Sequence, residues 1–272
     1  MVRSLWSAAT GMNAQQTNVD TIANNLANVN SAGYKAQNAQ FKSLLYQTLQ
    51  TKTTTANGDP KPTTSQVGLG VRTSSINNIF TQGSLLDSQS DTAFAIAGDG
   101  FFAVRGNDGQ TYYTRNGDFT WAIGTNGGMT LTNQDGLPVL NTEGRPIALD
   151  RSYIANRLSV SQDGEVCYPD ERNNAQPIGI TIGLFQFNNA GGLERVGDTL
   201  FARTDASGAP LNEATNADVQ PSKVIQGYLE GSNVSVADEM VNLIVAQRAY
   251  EMNSKAITTS DSMMDTANNL KR

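Results

Sequence analysis

The chain has 272 residues, 38% of them apolar, and a formal net charge of -6. That length allows one or two domains with a real core, and the acidic balance argues against nucleic acid, which demands concentrated Lys and Arg. Histidine is absent and Cys167 is the single cysteine, which excludes Ser-His-Asp and Cys-His catalysis and an internal disulfide and removes the commonest metal ligand.

From the N-terminus, Leu5, Met12, Val19 and Leu26 recur every seven residues, with Ala8, Gln15, Ile22 and Val29 as a companion row. These are the two seam positions of a heptad helix. At 1.5 Å per residue, Leu5 to Val29 spans roughly 36 Å. Asn30-Ser31-Ala32-Gly33 ends the pattern, with Gly33 placed as a helix C-cap. The opening residues carry no secretory apolar stretch or cleavage site, and no window has transmembrane length. Those rules alone point to the cytoplasm.

Thr48 to Gln66 is rich in Thr and Gln and contains Asp59-Pro60-Lys61-Pro62. Composition reads as a linker; an extended arm or hairpin packed on a neighbour is the alternative. From about 67 to 230, short β-prone runs recur: 94–96, 101–104, 111–114, 129–131, 158–160, 178–187 and 200–202. Turn signals such as Asn107-Asp108-Gly109, Asp135-Gly136, Glu143-Gly144 and Asp163-Gly164 separate them, predicting an antiparallel β domain.

The last region is a long helix over about 232–272, free of Gly and Pro after Ser232. Val236, Leu243, Tyr250, Ile257 and Met264 form one seven-spaced row, and Met240, Gln247, Ser254 and Asp261 its companion. Ser235 is the expected N-cap, with Asp238 and Glu239 favourably placed on the helix dipole. Each terminal helix therefore carries an apolar stripe that needs a partner. Either the two helices pair within one molecule, or the stripes pack against other copies.

Elsewhere the chemistry is bland. Asp163 and Glu165 read as a turn and a solvated strand residue rather than a carboxylate pair. Asp99, between Gly98 and Gly100, lacks the spacing of a phosphate loop, and Asn107-Asp108-Gly109 is too short for a calcium loop. Asn233-Val234-Ser235 is formally a glycosylation sequon but reads as helix entry. Tyr112, Tyr113, Phe119 and Trp121 read as core rather than as a carbohydrate platform, and Cys167 as a small apolar strand residue.

Three sets of residues carry a family resemblance. They are Ser7 to Met12 with Asp20 to Asn30 and Gly33-Tyr34-Lys35; Gly98 to Phe102 with Tyr113 to Phe119; and Glu230 to Val236 with Gln247 to Lys255. Together they closely resemble the bacterial flagellar rod and hook proteins over nearly the whole chain. Phe41 to Thr48 with the Thr-rich stretch after it is similar to the distal rod members.

The resemblance implies an α+β fold. Residues 1–38 and 231–272 supply the N- and C-terminal helices of a coiled-coil-like inner domain. Residues 39–66 form an extended or hairpin segment that packs between neighbours and stiffens the assembly. Residues 67–230 form a mainly antiparallel β outer domain.

It further implies a structural protein, not an enzyme, without catalytic, metal or cofactor sites. Subunits stack into a rigid helical tube that transmits torque across the periplasm and forms part of the export channel. The implied partners are further copies, proximal rod proteins, hook protein, the L- and P-ring bushings and the type III export apparatus. Export without a cleaved signal reverses the cytoplasmic reading. The expected subunit-interface residues are Leu5, Met12, Val19, Ile22, Leu26, Val29, Val236, Met240, Leu243, Tyr250, Ile257 and Met264. Phe41 and Leu45 match the export-gate pattern, although packing on one helix face explains the pair equally well. Proximal rod or hook-type subunits are the alternatives within the family. A secreted glycan-binding or hydrolytic β domain is the alternative outside it.

Overall fold

The computed structural model describes residues 2–50, 65–123, 127–170, 174–197, 199–216 and 219–270. The fold is α+β, with a helix near each end of the chain and an antiparallel β region between them. The chain divides into two compact units. The helical unit is Met1–Ala27, Gln37–Asn78 and Ser235–Arg272; the β unit is Asn28–Ala36 and Ile79–Val234. The division thus falls at 78/79 rather than at 66/67, and residues 28–36 go with the β unit.

In the helical unit, α1 is Val2–Ala27 and α2 is Val236–Asn269. The two helices run antiparallel, in step along their length. Ser4 Oγ lies 3.3 Å from Ser260 Oγ, Gly11 faces Asn253, and Asn25 Nδ2 donates to Glu239 Oε1 at 3.0 Å. A Cβ on Gly11 would sit 2.9 Å from Asn253 Nδ2; glycine at this crossing lets the backbones close up. On α2 the residues that meet α1 therefore include Glu239, Asn253 and Ser260, with Ala246 buried between them. The expected companion row Met240, Gln247, Ser254 and Asp261 lies one residue further on. Small and polar side chains allow close approach where the larger Met240 would hold the helices apart.

α1 ends earlier than expected. Residues 28–33 form turns, Ser31 donates from its amide to Asn28 O and from its hydroxyl to Asn28 Oδ1, and these local bonds compete with helix continuation. Gly33 is consequently not the C-cap of α1. Ser235 does occupy the N-cap position of α2, with extended backbone but no side-chain capping bond.

A β ribbon completes this unit. Strand β1 (Gln37–Ser43) pairs with β4 (Val71–Asn78), and β2 (Tyr46–Gln50) with β3 (Ser65–Gly68). The ribbon packs on α1 through hydrogen bonds. Asn25 Oδ1 accepts from Gln37 N at 2.9 Å and Asn25 Nδ2 donates to Gln37 O at 2.8 Å; Thr10 Oγ1 accepts from Val71 N at 3.3 Å. The stretch read by composition as a linker is thus strand on both flanks. Its Asp59-Pro60-Lys61-Pro62 stretch lies outside the described residues.

The β unit is built from antiparallel sheets. The largest has six strands, in spatial order Glu194–Gly197, Leu200–Ala202, Thr111–Thr114, Phe101–Arg105, Leu184–Gln186 and Leu211–Asn212. Along Phe101–Arg105, Phe102 and Val104 enter one core cluster while Phe101 and Ala103 enter another. Both faces of that strand are covered, which is why it reads as a continuous apolar run rather than an alternation. Tyr113 and Phe119 are buried, and Tyr112 and Trp121 pack against the first cluster. The expected strand over 178–187 is two strands, Ala175–Thr181 and Leu184–Gln186.

Candidate functional site

Two features of this chain can carry function: the apolar faces of the helical unit and a charged node inside the β unit. On α1, Ile22 is buried and Leu5, Met12, Val19 and Leu26 are half-buried. Val29, expected on the same helix, is half-buried in the turn that follows it. On α2, Leu243, Ile257 and Met264 are half-buried, whereas Val236, Met240 and Tyr250 are exposed. Val19 and Tyr250 line one recess between the helices together with Gln16, Gln247 and Glu251. After the helices have paired, α2 still presents Val241, Ile244, Val245 and Met252 to solvent, each more than half exposed. The heptad rows did not single out these four.

Phe41 and Leu45 do not share a helix face. Phe41 is half-buried in β1 at a register shift, and Leu45, 84% exposed, lies between β1 and β2. The helical packing explanation for this pair is therefore wrong: the backbone there is strand and the irregular link that follows it.

The charged node draws on all three sets of motif residues. Lys35 comes from the segment after α1, Arg115 follows the strand Thr111–Thr114, and Glu230 ends the strand Tyr228–Glu230. All three side chains are fully buried. Lys35 Nζ bonds Glu230 Oε1 at 2.5 Å and Thr81 O at 2.8 Å. Arg115 Nη1 donates to Glu230 Oε2 at 3.2 Å and Nη2 to Gly98 O at 2.7 Å, while its guanidinium lies 5.1 Å from the Phe101 ring centre. Gly83 N also donates to Glu230 Oε1, at 3.0 Å.

Burial pushes the Lys35 ammonium below its ordinary pKa, with Glu230 opposing that shift and Arg115 adding to it. Burial likewise lowers Arg115, again opposed by Glu230. The carboxylate is what makes two cations tolerable in this interior. Gly33 completes the node. Its amide donates to Glu230 O at 2.7 Å, its φ is +69°, and a Cβ would come within 2.4 Å of Asn116 N. Only glycine accepts both the left-handed backbone and the close approach.

Asp163-Gly164 is a turn closed by Gly164 N on Ser161 O, and Glu165 is exposed at the start of its strand. Among the described residues no group of three or more His, Cys, Asp or Glu side chains converges on a metal-sized site. Among the described residues no helix is long and apolar enough to cross a membrane. Cys167 is buried, and burial, with Glu165 nearby, raises its thiol pKa.

Comparison with known proteins gives a consistent picture. Three family models match: the flagella basal body rod protein over residues 5–35, the flagellar hook protein FlgE/F/G D1 domain over 95–168, and the flagellar basal body rod FlgEFG protein C-terminal over 225–270. The flagellar basal-body rod protein FlgG of Borreliella burgdorferi is 43% identical over 274 residues, covering 100% of both chains. FlgG of Bacillus subtilis is 36% identical over 272 residues, again covering 100% of both. The flagellar hook-basal body complex protein FlhP of Bacillus subtilis is 30% identical over 277 residues with the same coverage. The Lys35, Arg115 and Glu230 node lies within the three matched regions, one residue in each. The chain belongs to the flagellar basal-body rod proteins of the FlgG type.

Proposed function

We propose that the chain is a structural subunit of the flagellar distal rod, assembling with further copies into a rigid helical tube that transmits torque. The full-length likeness to FlgG basal-body rod proteins supports this reading. Nothing favours a secreted glycan-binding or hydrolytic domain, and the family is structural.

The observation that carries the assembly reading is the apolar face left on α2 after pairing. Val241, Ile244, Val245 and Met252 are exposed in a lone copy. Burying one such side chain contributes roughly 1.5–3 kcal/mol. A neighbouring copy that covers the face gains this several times over. In this reading α1 and α2 form a coiled-coil-like inner layer around the export channel, and the antiparallel β unit is the outer domain. The heptad residues Leu5, Met12, Val19, Leu26 and Val29 with Val236, Met240, Leu243, Tyr250, Ile257 and Met264 contribute to the seams between copies, whereas Ile22 is already buried within the chain.

The extended segment 39–66, of which residues 51–64 lie outside the described residues, packs between neighbours and resists shear. Phe41 and Leu45 serve export; the exposure of Leu45 leaves it available to a receptor even in the folded chain. Proximal rod proteins, hook protein, the ring bushings and the export apparatus are the partners at the basal body, in the periplasm, reached without a cleaved signal.

Val245→Asp tests the seam. Val245 is 61% exposed, so the lone copy keeps its near-UV circular dichroism. Tubes in electron micrographs of concentrated protein, and motility of cells carrying the variant, are both expected to be lost. Normal tubes and swimming would remove the seam from the account.

A further inference from the structure

Asn233 holds three distant stretches of the β unit together. Its Nδ2 donates to Ile79 O at 2.8 Å and to Thr81 Oγ1 at 2.9 Å, and its Oδ1 accepts from Ala36 N at 2.7 Å. Ile79 N donates in turn to Ala36 O at 2.8 Å. Ala36, Ile79 and Asn233 each lie at or next to a point where the chain passes out of the β unit. Three residues before Asn233, Glu230 ties down Lys35, Gly83 and Gly33. Two side chains from the last stretch of the unit to be made thus fasten both of the earlier ones.

Electrostatics gives this fastening a direction in time. Without Glu230, Lys35 and Arg115 are like charges brought together where water is excluded; they keep the carbonyls of Thr81 and Gly98 and the weaker pull of Asp99 but have no ion pair, and Arg115 is also short of a partner at Nε. Two unpaired cations resist burial. The site therefore stays open until the carboxylate arrives. The chain is made from its N-terminus, so residues 33–36 and 79–83 exist well before residues 230–233 do.

We infer that Glu230 and Asn233 form a late-closing clasp: segments 33–36 and 79–83 remain unfastened until residues 230–233 dock, and all three then lock in one cooperative step. A chain lacking its C-terminal part consequently cannot fix the passage that leads to α1. The clasp withholds a finished subunit until the residues leading into α2 are present. This holds whatever the chain assembles into.

Pulse-labelled hydrogen exchange during refolding of the full chain tests it. The amides of Gly33, Ala36, Ile79 and Gly83 are expected to gain protection together, after the core amides of Val139 and Leu140, whose acceptors are Leu131 O and Ala103 O. Protection of the four in the same phase as Val139 and Leu140, or one by one, would overturn the clasp. In the native full chain, Asn233→Ala should speed exchange at Ala36, Ile79 and Gly33 together by roughly 10- to 100-fold while leaving Val139 unchanged. Acceleration confined to Ala36, the one amide that Asn233 accepts from, would refute cooperativity. The refolding experiment needs no variant, so it decides the matter even if Asn233→Ala does not fold.

Discussion

Replacing Glu230 with Gln removes one negative charge and leaves two buried cations facing each other. The side chain keeps its volume and can still accept from Gly83, so the loss is electrostatic. Lys35 and Arg115 are both fully buried, and Glu230 is the one carboxylate that ion-pairs with them among the described residues; Asp99 acts on both, and Glu213 on Arg115, more weakly. Breaking a buried ion pair by removing one partner costs about 3–5 kcal/mol, because the remaining charge is uncompensated. With a urea m-value of about 2 kcal/mol/M, the unfolding midpoint of the β unit should fall by roughly 1.5–2.5 M. Trp121 packs against the β core and Trp6 is exposed on α1, so fluorescence in a Trp6→Phe background follows the β unit alone. Adding Lys35→Met to Glu230→Gln removes one orphaned charge and should recover at least about 1 kcal/mol. The exposed pair of Arg145 and Glu143, at 3.7 Å, is the control; Glu143→Gln should cost no more than about 0.5 kcal/mol. A midpoint shift below about 0.5 M in Glu230→Gln, or no recovery in the double variant, would show that the node is not sustained by charge.

Gly33→Ala places a Cβ against Asn116 at a φ of +69° and should lower stability by at least about 2 kcal/mol in thermal unfolding, whereas Gly109→Ala, at a φ of +78° with open space around it, should cost only about 1 kcal/mol. A smaller loss at Gly33 than at Gly109 would contradict the close-approach argument. The buried, pKa-raised thiol of Cys167 should react with a disulfide reagent at neutral pH at least about 10-fold more slowly in the native chain than in urea, because only the thiolate attacks and only when reached. Equal rates would place Cys167 at the surface.

Much of the fold is readable from residue spacing. Strands such as Thr111–Thr114 and Leu200–Ala202 fall where β-branched and aromatic runs sit between Gly-containing turns. Of the row Val236, Leu243, Tyr250, Ile257 and Met264, Leu243, Ile257 and Met264 are half-buried while Val236 and Tyr250 are exposed. What escaped is what hydrophobicity does not encode. The crossing of α1 with α2 is written in Ser4, Gly11, Asn25, Asn253 and Ser260, whose small size lets helices approach but gives no apolar signal. The strands Leu85–Asp87 and Tyr228–Glu230 are three residues each, too short for alternation to register. The node was hidden differently. Lys35 and Glu230 are separated by 195 positions, and nothing local to either charge announces the other. Resemblance pointed to the stretches that contain them without revealing that they meet.

The polar character of the α1–α2 crossing has a consequence for the isolated chain. The Ser, Gly and Asn contacts of this crossing expel little hydrocarbon from water, so its apolar hold rests on Ile22, Ala246 and the half-buried Leu243, Ile257 and Met264. The stickier residues, Val241, Ile244 and Val245, point elsewhere. A solitary hairpin of this kind is therefore fastened to itself along one side of α2 while the opposite side stays wet and oily, which makes solubility of the isolated chain fall as it is concentrated.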